Sequence, residues 1–189
     1  MDKEHGYPFQ LRPFASTREA KALSLGGWLA RLPGILTVEY QLAGDLRNIT
    51  WPAPGAGVTR RHELWRHTCF ELFFAIPGQP AYWEINLGPD GSWNVYSFAA
   101  YRQGMREEAA IDQLPCQTWQ KDGMFSLSCR IDTSRLCVDA REIAVAIAGV
   151  VVFADGATSH WAIEHPEVQP DFHSRQGFSL VLPGVTDPS

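Results

Sequence analysis

Residues 63–105 read ELWRHTCFELFFAIPGQPAYWEINLGPDGSWNVYSFAAYRQGM. The stretch predicts a meander of three consecutive β-strands, over residues 69–76, 82–87 and 93–98. Pro77 and Gly78 end the first strand, because proline cannot donate a hydrogen bond to a neighbouring strand and glycine frees the turn. Asp90 and Gly91 predict a tight turn before the third strand, since such a pair tolerates positive φ angles. The meander indicates an antiparallel sheet at the centre of the fold.

Apolar and polar residues alternate along the second strand of this meander. Successive side chains of a strand point to opposite faces, so Trp83, Ile85 and Leu87 share one face. The other face is polar and gathers Glu71, Tyr82, Glu84, Asn86 and Tyr96. Carboxylates and amides match the hydroxyl groups of a ligand, and aromatic rings stack on apolar sugar faces. We therefore predict a ligand-binding surface; the alternative is that these groups pair with one another or face water.

The composition indicates one globular domain. The chain has 189 residues, of which 45% are hydrophobic and 20% charged, and all-β folds of this length are usually single domains. We assign residues 1–189 to one domain, with its core at about 7–183. The net charge of -5 argues against nucleic acid as a partner, because phosphates demand a basic surface.

The sequence predicts a cytoplasmic protein that does not contact membranes. The N-terminal residues lack an apolar signal peptide, and no stretch approaches the ~20 apolar residues of a membrane span. Cys69, Cys116, Cys129 and Cys137 match no zinc or redox spacing, so we expect buried free thiols. Two disulfides become possible if the protein is exported.

The rest of the chain predicts further strands. We expect them over residues 5–14, 36–42, 46–50, 117–121, 124–131, 143–153 and 176–182. The first is expected at a sheet edge because it contains two prolines, and the apolar run at 143–153 indicates a strand buried on both faces. Asp122 and Gly123 predict another hairpin. About ten short strands predict an antiparallel β-sandwich of the jelly-roll or immunoglobulin-like kind.

Three connecting segments are harder to interpret. Residues 15–27 can hold a helical turn capped by Ser16 or Thr17 and stopped by Gly26 and Gly27. Residues 51–58 form a loop rich in proline and glycine that leads to His62 and His67. Residues 159–173 contain three histidines and three carboxylates. Each group of histidines is either a metal site or a set of hydrogen-bonding side chains, and the spacings match no standard zinc pattern.

Signals for catalysis are weak. Cys69 near His67, and Ser159 beside His160, lack a nucleophile elbow and a third partner. No glycine-rich phosphate loop or dinucleotide fingerprint is present. Glu71 and Glu84 lie on adjacent predicted strands, where two carboxyl groups can act as a glycosidase pair. We predict a protein that is not an enzyme, with a carboxylate-based glycoside hydrolase as an alternative.

The sequence resembles a DOMON-like domain, the β-sandwich group related to family-nine carbohydrate-binding modules. The motifs that carry the resemblance cover roughly residues 7 to 183 and are Leu64-Trp65, Cys69-Phe70-Glu71-Leu72-Phe73, Tyr82-x-Glu84-x-Asn86, Gly91-x-Trp93-x-x-Tyr96-x-Phe98, Tyr101-Arg102-x-Gly104-Met105, His160-Trp161-Ala162 and Pro170-Asp171-Phe172-His173. The resemblance implies a sandwich that binds sugars or haem. Haem requires axial ligands, typically Met and His, and Met105 and Met124 are the internal methionines.

The resemblance further implies that loop aromatics join the polar sheet face around a pocket. The full predicted ligand-binding set is Trp65, Glu71, Tyr82, Glu84, Asn86, Tyr96, Arg102, His160 and Trp161. In a purely structural interpretation of the same residues, Glu71 or Glu84 pairs with Arg102. We predict a non-catalytic module that binds a small molecule, for example a sugar, and that uses no cofactor or metal. A haem-binding or redox domain is the alternative. The sequence does not assign an oligomeric state.

Overall fold

The computed structural model describes residues 6–52, 59–136, 138 and 141–185. The strands in these residues are β1 (Gly6–Pro13), β2 (Leu23–Leu32), β3 (Ile35–Gly44), β4 (Cys69–Ala75), β5 (Tyr82–Leu87), β6 (Trp93–Phe98), β7 (Arg106–Glu107), β8 (Cys116–Lys121), β9 (Met124–Asp132), β10 (Ile143–Val152), β11 (Thr158–Ala162) and β12 (Leu180–Leu182). The helices are α1 (Arg18–Lys21) and the 3₁₀-helices Leu46–Asn48, Leu64–Arg66, Ser134–Leu136 and Arg175–Gly177. No helix among the described residues is long and apolar enough to cross a membrane.

The strands form a continuous antiparallel sheet that curls on itself. Its order is β7-β6-β5-β4-β10-β11-β1-β2-β3-β9-β8, and β12 pairs with β10. β1 joins the two halves, because Gly6–Leu11 pairs with β2 whereas Arg12 and Pro13 pair with β11. The predicted all-β antiparallel architecture is confirmed. The number of strands in the described residues, twelve, exceeds the predicted ten or so, and β1 connects the halves instead of ending a sheet.

The main core lies between the two halves of the sheet. Leu29, Val38 and Leu127 come from the half that contains β2, β3 and β9, and Leu72 and Val145 come from β4 and β10. All five side chains are fully or almost fully buried. Burial of apolar surface on this scale is the dominant favourable term in folding.

A second apolar layer covers the outer face of β4, β5, β6 and β10. It contains Phe73, Tyr82 and Phe98, against which Phe178 from the segment after β11 packs. β4 and β10 are therefore covered on both faces. The predicted two-sided burial of the 143–153 strand is confirmed, since its residues are buried except at Ala144 and Val152, which are partly exposed.

The strands of the meander, the Asp122-Gly123 hairpin and the cap of α1 agree with the sequence analysis. β5 and β6 have the predicted bounds, and β4 ends one residue earlier than predicted. Asp122 and Gly123 have φ angles of 52° and 74°, which are the positive values that a tight hairpin requires. Thr17 caps α1 as one of the two predicted candidates, accepting a hydrogen bond from the Ala20 N–H at 3.1 Å.

Three predictions about other elements are wrong. Residues 46–50 do not form a strand, because Leu46–Asn48 is a 3₁₀-helix that Asp45 caps. Gly26 and Gly27 do not end a helix but lie inside β2, which the sequence analysis missed. β11 lies within what was predicted as a long loop. The 53–58 part of the proline- and glycine-rich loop lies outside the described residues.

The cysteine prediction is only partly correct. Cys69 is a free, buried thiol, as predicted. Cys116 and Cys129 instead form a disulfide, because the pairing of β8 with β9 places them directly opposite each other with Cα atoms 4.2 Å apart. Sequence spacing does not reveal such a cross-strand pair unless the register is known. Cys137 lies outside the described residues.

Candidate ligand-binding site

The outer face of the meander forms the floor of a cavity of about 360 Å³, within the size range of small-ligand sites. Glu71 on β4 and Glu84 on β5 supply its carboxyl groups. Glu71 is opposite Asn86 in the strand pairing and Glu84 is opposite Phe73, so the two glutamates are diagonal neighbours on one face. Each is only 3% exposed. The predicted polar face therefore exists and lies under a cavity.

The two carboxyl groups have different hydrogen-bond environments. Glu84 Oε1 accepts a hydrogen bond from Asn86 Nδ2 at 2.6 Å. Glu71 Oε1 is buried and has no hydrogen-bond partner within the described part of the chain. Burial raises the pKa of Glu71 well above its usual range, and the neighbouring charge of Glu84 raises it further. Burial raises the pKa of Glu84 to about 7, although the Asn86 hydrogen bond and the charge of Arg102 oppose this shift.

His173 lies beside this pair. Its Nδ1 is 2.7 Å from the Tyr82 hydroxyl oxygen, and its Nε2 is 3.8 Å from Glu84 Oε2. Burial, with the nearby charge of Arg102, lowers the pKa of His173 to about 4. The imidazole is therefore neutral at neutral pH, and its contact with Glu84 is not an ion pair there.

Arg102 connects two segments at the rim of the cavity. Its backbone N–H donates to the Tyr82 hydroxyl at 3.2 Å, and its guanidinium donates to Asp171 Oδ1 at 2.8 Å. The Tyr101 hydroxyl donates to Asp171 Oδ2 at 2.5 Å. The alternative structural interpretation, in which Arg102 pairs with Glu71 or Glu84, does not hold, because the guanidinium donates to Asp171 instead. The charge of Arg102 still acts on both glutamates and partly offsets the rise in their pKa values.

Aromatic and apolar side chains form the walls. Trp65 lies in the short 3₁₀-helix that begins after Glu63, a residue with a left-handed φ of 59°. The Trp65 ring packs edge-on against the Tyr96 ring, with ring centroids 5.6 Å apart. His160 on β11 faces Phe172 with ring centroids 6.0 Å apart. Burial lowers the pKa of His160. The other apolar wall residues are Phe98, Met105, Val150 and Pro170.

The structure brings most of the predicted set together. Those that line the cavity are Trp65, Glu71, Glu84, Arg102 and His160. Tyr82, Asn86 and Tyr96 are buried on the same face and support the lining residues through the hydrogen bonds and ring contacts described above.

Trp161 does not line the cavity, and its predicted place there is wrong. It lies opposite Gly149 in the pairing of β10 with β11, belongs to the main core and is 2% exposed. Because side chains alternate along a strand, His160 and Trp161 cannot face the same side. The prediction treated both as loop residues and so lost this alternation.

Sequence reasoning missed several lining residues. Phe98 and Val150 follow from the alternation of β6 and β10, so that signal was present. Phe172 and His173 belong to a motif noted in the sequence but were not assigned to the site. Their position depends on how the segment after β11 returns over the sheet, which local sequence does not encode.

His62 and His165 make local contacts outside the cavity lining. His62 Nδ1 is 3.4 Å from the Tyr96 hydroxyl and its Nε2 is 3.4 Å from Glu107. His165 Nε2 is 2.8 Å from the Arg12 carbonyl oxygen, which ties the segment after β11 to β1. Within the described residues, no group of three or more His, Cys, Asp or Glu side chains could hold a metal ion.

Comparisons with known proteins concern the fold. No protein-family model matches the sequence, and no curated protein does either. A candidate carbohydrate-binding protein from Bacteroides uniformis ATCC 8492 superposes with a TM-score of 0.65 at 11% identity, covering 92% of this chain and 84% of that one. A family 9 carbohydrate-binding module from Caldicellulosiruptor kristjanssonii, solved with cellotriose and with glucose, gives TM-scores of 0.53 and 0.50 at 11% identity. The superposition on the cellotriose complex covers 96% of this chain and 84% of the module, and that on the glucose complex covers 94% and 82%.

Proposed function

We propose that this protein binds a small carbohydrate, without catalysis, in the cavity on the outer face of the meander. The observation that carries the proposal is Glu71, which lines the cavity and whose buried Oε1 has no hydrogen-bond partner among the described residues. A buried polar atom without a hydrogen bond is costly, so a ligand hydroxyl that pairs with it gains more than it would at the surface.

The chemistry of the walls suits a sugar. A sugar presents hydroxyl groups at its edges and apolar C–H groups on its faces. Glu71 and Glu84 offer hydrogen-bonding oxygens, and Trp65 and Phe172 offer rings for the apolar faces. The solved structures with this fold include modules in complex with cellotriose and glucose, which further supports the proposal. On this basis we also propose that the chain is a single DOMON-like β-sandwich domain.

Haem, which the DOMON resemblance also suggests, is the alternative ligand, and Met105 and His160 in the cavity lining are of the axial-ligand type; the carboxyl groups of the floor favour a sugar instead. A haem is a flat, largely apolar macrocycle that needs axial ligands for its iron. Both ring nitrogens of His173 already face Tyr82 and Glu84. The Glu71 and Glu84 carboxyl groups occupy the floor against which an apolar macrocycle would lie. The proposal therefore includes no cofactor.

A glycoside hydrolase is the competing function, because two buried carboxyl groups with raised pKa values lie on adjacent strands. Hydrolysis predicts release of reducing sugar from oligosaccharides and its loss in Glu84→Gln. Simple binding predicts an unchanged oligosaccharide after prolonged incubation. Chromatography of cellotriose incubated with the protein distinguishes the two.

Thermal unfolding with glucose and cellotriose tests the binding proposal. A ligand at 100 times its dissociation constant stabilises the folded state by about 2.7 kcal/mol, which raises Tm by roughly 5 to 10 °C for a chain of this length. Trp65→Ala should abolish the shift. Trp119→Ala is the matched control, because Trp119 is 44% exposed on β8 and lies outside this cavity. Absence of a shift with every sugar tried would contradict the proposal.

A further inference from the structure

Carboxyl groups outnumber guanidinium and ammonium groups around the described cavity. Glu71 and Glu84 line it, and Asp171 lies at its rim. Among the described residues that line the cavity, Arg102 is the only Lys or Arg. Its guanidinium is already paired with Asp171 at 2.8 Å. His160 and His173 also line the cavity, and burial is the main cause that lowers the pKa of each. Arg102 therefore acts on the two glutamates only through its charge, and its ion pair is with Asp171.

Glu71 is the less satisfied member of the pair. It is 3% exposed, its Oε1 accepts no hydrogen bond within the described residues, and it faces the cavity. An ionised carboxylate in such a place is costly unless a positive charge joins it. Burial and the charge of Glu84 accordingly raise the pKa of Glu71, which favours its neutral carboxyl group until a cation joins it.

We propose that the sugar bound here carries a protonated primary amine, as amino sugars do, and that its ammonium group binds between Glu71 and Glu84. The inference rests on the proposed carbohydrate site and names the class of sugar it takes. An ammonium group has three N–H donors and no acceptor, which matches two carboxyl groups. Diagonal neighbours on adjacent strands lie ~7–8 Å apart, so one nitrogen can reach both side chains with hydrogen bonds of ~2.8 Å.

Binding of the amine exchanges one cation for another. The ammonium group enters, the pair of Glu71 and Glu84 gives up one proton to solvent, and the total charge of the cavity stays the same. A sugar with a hydroxyl at that position brings no charge, so the pair keeps that proton. An N-acetylated amine is also neutral and has a single N–H donor. The three sugars therefore separate the effect of charge from that of hydrogen bonding.

Isothermal titration calorimetry of the full chain at pH 7 with D-glucosamine, D-glucose and N-acetyl-D-glucosamine tests the inference. D-glucosamine should bind about tenfold more tightly than the other two, because hydrogen bonds between charged groups are stronger than neutral ones. Its binding should release protons, seen as a heat that changes with the ionisation enthalpy of the buffer. D-glucose should show no such dependence.

Two variants locate the effect. Glu71→Gln keeps the shape but removes the charge, so D-glucosamine should lose its advantage and bind the variant with an affinity within about threefold of that of D-glucose. Glu19→Gln, an exposed position on α1, is the control and should leave all three affinities unchanged. If Glu71→Gln does not fold, Glu84→Gln replaces it.

The outcomes separate the two proposals. Equal affinities for D-glucosamine and D-glucose would overturn the amine inference and leave the carbohydrate site standing. Preference for D-glucosamine that survives in Glu71→Gln and in Glu84→Gln would overturn the assignment of the ammonium group to this pair. Absence of binding by all three sugars would overturn both proposals.

Discussion

His160 and Trp161 are neighbours in the chain but face opposite sides of the sheet. His160 lines the cavity, whereas Trp161 packs in the main core, where its Nε1 has no hydrogen-bond partner among the described residues. A tryptophan so placed contributes to stability and not to ligand contact. The same distinction separates Trp65, a wall of the cavity, from the tryptophans of the core.

Trp161→Ala should lower the free energy of unfolding by about 3–5 kcal/mol, because it leaves a large hole in a close-packed core. The affinity of the folded variant for sugar should stay the same, since the side chain does not reach the cavity. Urea denaturation gives the first quantity and calorimetry the second. A variant of normal stability that has lost sugar binding would show that Trp161 faces the ligand after all.

Glu84 and His173 make the stability depend on pH in opposite directions. Folding raises the pKa of Glu84 from 4.5 to about 7, so the folded chain holds more protons in that range and stability falls as pH rises through it. Folding lowers the pKa of His173 from 6.5 to about 4, so its contribution rises with pH in that range. The two effects partly cancel in the wild-type protein.

Substitutions at Glu84 and His173 separate the two pH effects on stability. Relative to the wild type, Glu84→Gln should gain about 2 kcal/mol of stability between pH 5 and pH 7, because the amide removes the cost of ionising a buried carboxyl group. His173→Asn should change in the opposite sense between pH 4 and pH 6.5. Urea denaturation at several pH values measures both differences. A constant difference for Glu84→Gln would mean that folding does not perturb its pKa.

At the scale of elements, strands were predictable where alternation and turn residues agree. β5 has strict alternation and a following Asp-Gly turn, and its bounds were predicted without error. β2 was missed because Gly26 and Gly27 usually end elements, and here the reason for them is tertiary. A Cβ on Gly27 would lie 1.8 Å from the Glu39 carbonyl oxygen on β3. Such crowding depends on strand pairing, which the sequence does not display.

This crowding makes Gly27 and Gly78 an informative pair. Gly27→Ala should cost at least about 3 kcal/mol, since backbone must move to admit the methyl group. Gly78 has a φ of 77° and open space around it, so Gly78→Ala should cost only about 1 kcal/mol, from backbone conformation alone. Chemical denaturation of both variants gives the comparison. Similar costs would show that β2 and β3 do not approach so closely.

At the scale of the whole molecule, the candidate site joins parts of the chain that are far apart in sequence. The floor comes from the meander, β10 and β11, and the rim from the segments that contain Arg102 and Asp171. The floor was predictable because alternation fixes which side chains share a face. The rim was not, because the pairing of Arg102 with Asp171 depends on how the segment after β11 returns over the sheet.

Arg102 and Arg61 allow the rim to be tested with a close control. Their side chains are 52% and 53% exposed, and each donates to an aspartate at 2.8 Å, but only Arg102 lines the cavity. The aspartate side chains are only 3% exposed for Asp90 and 16% exposed for Asp171, so Arg61→Gln and Arg102→Gln each leave a mostly buried carboxylate without its cation and should cost about 1–3 kcal/mol.

Affinity should separate the two variants. Arg102→Gln should weaken sugar binding about tenfold, because the Asp171 side of the rim loses its partner and the cavity loses a charged hydrogen-bond donor. Arg61→Gln should bind sugar as the wild type does, since its partner Asp90 lies in the turn after β5 and outside this cavity. Calorimetry with the sugar that binds the wild type most tightly measures both. Equal affinities in the two variants would mean that the rim does not touch the ligand, and would confine the site to its sheet floor.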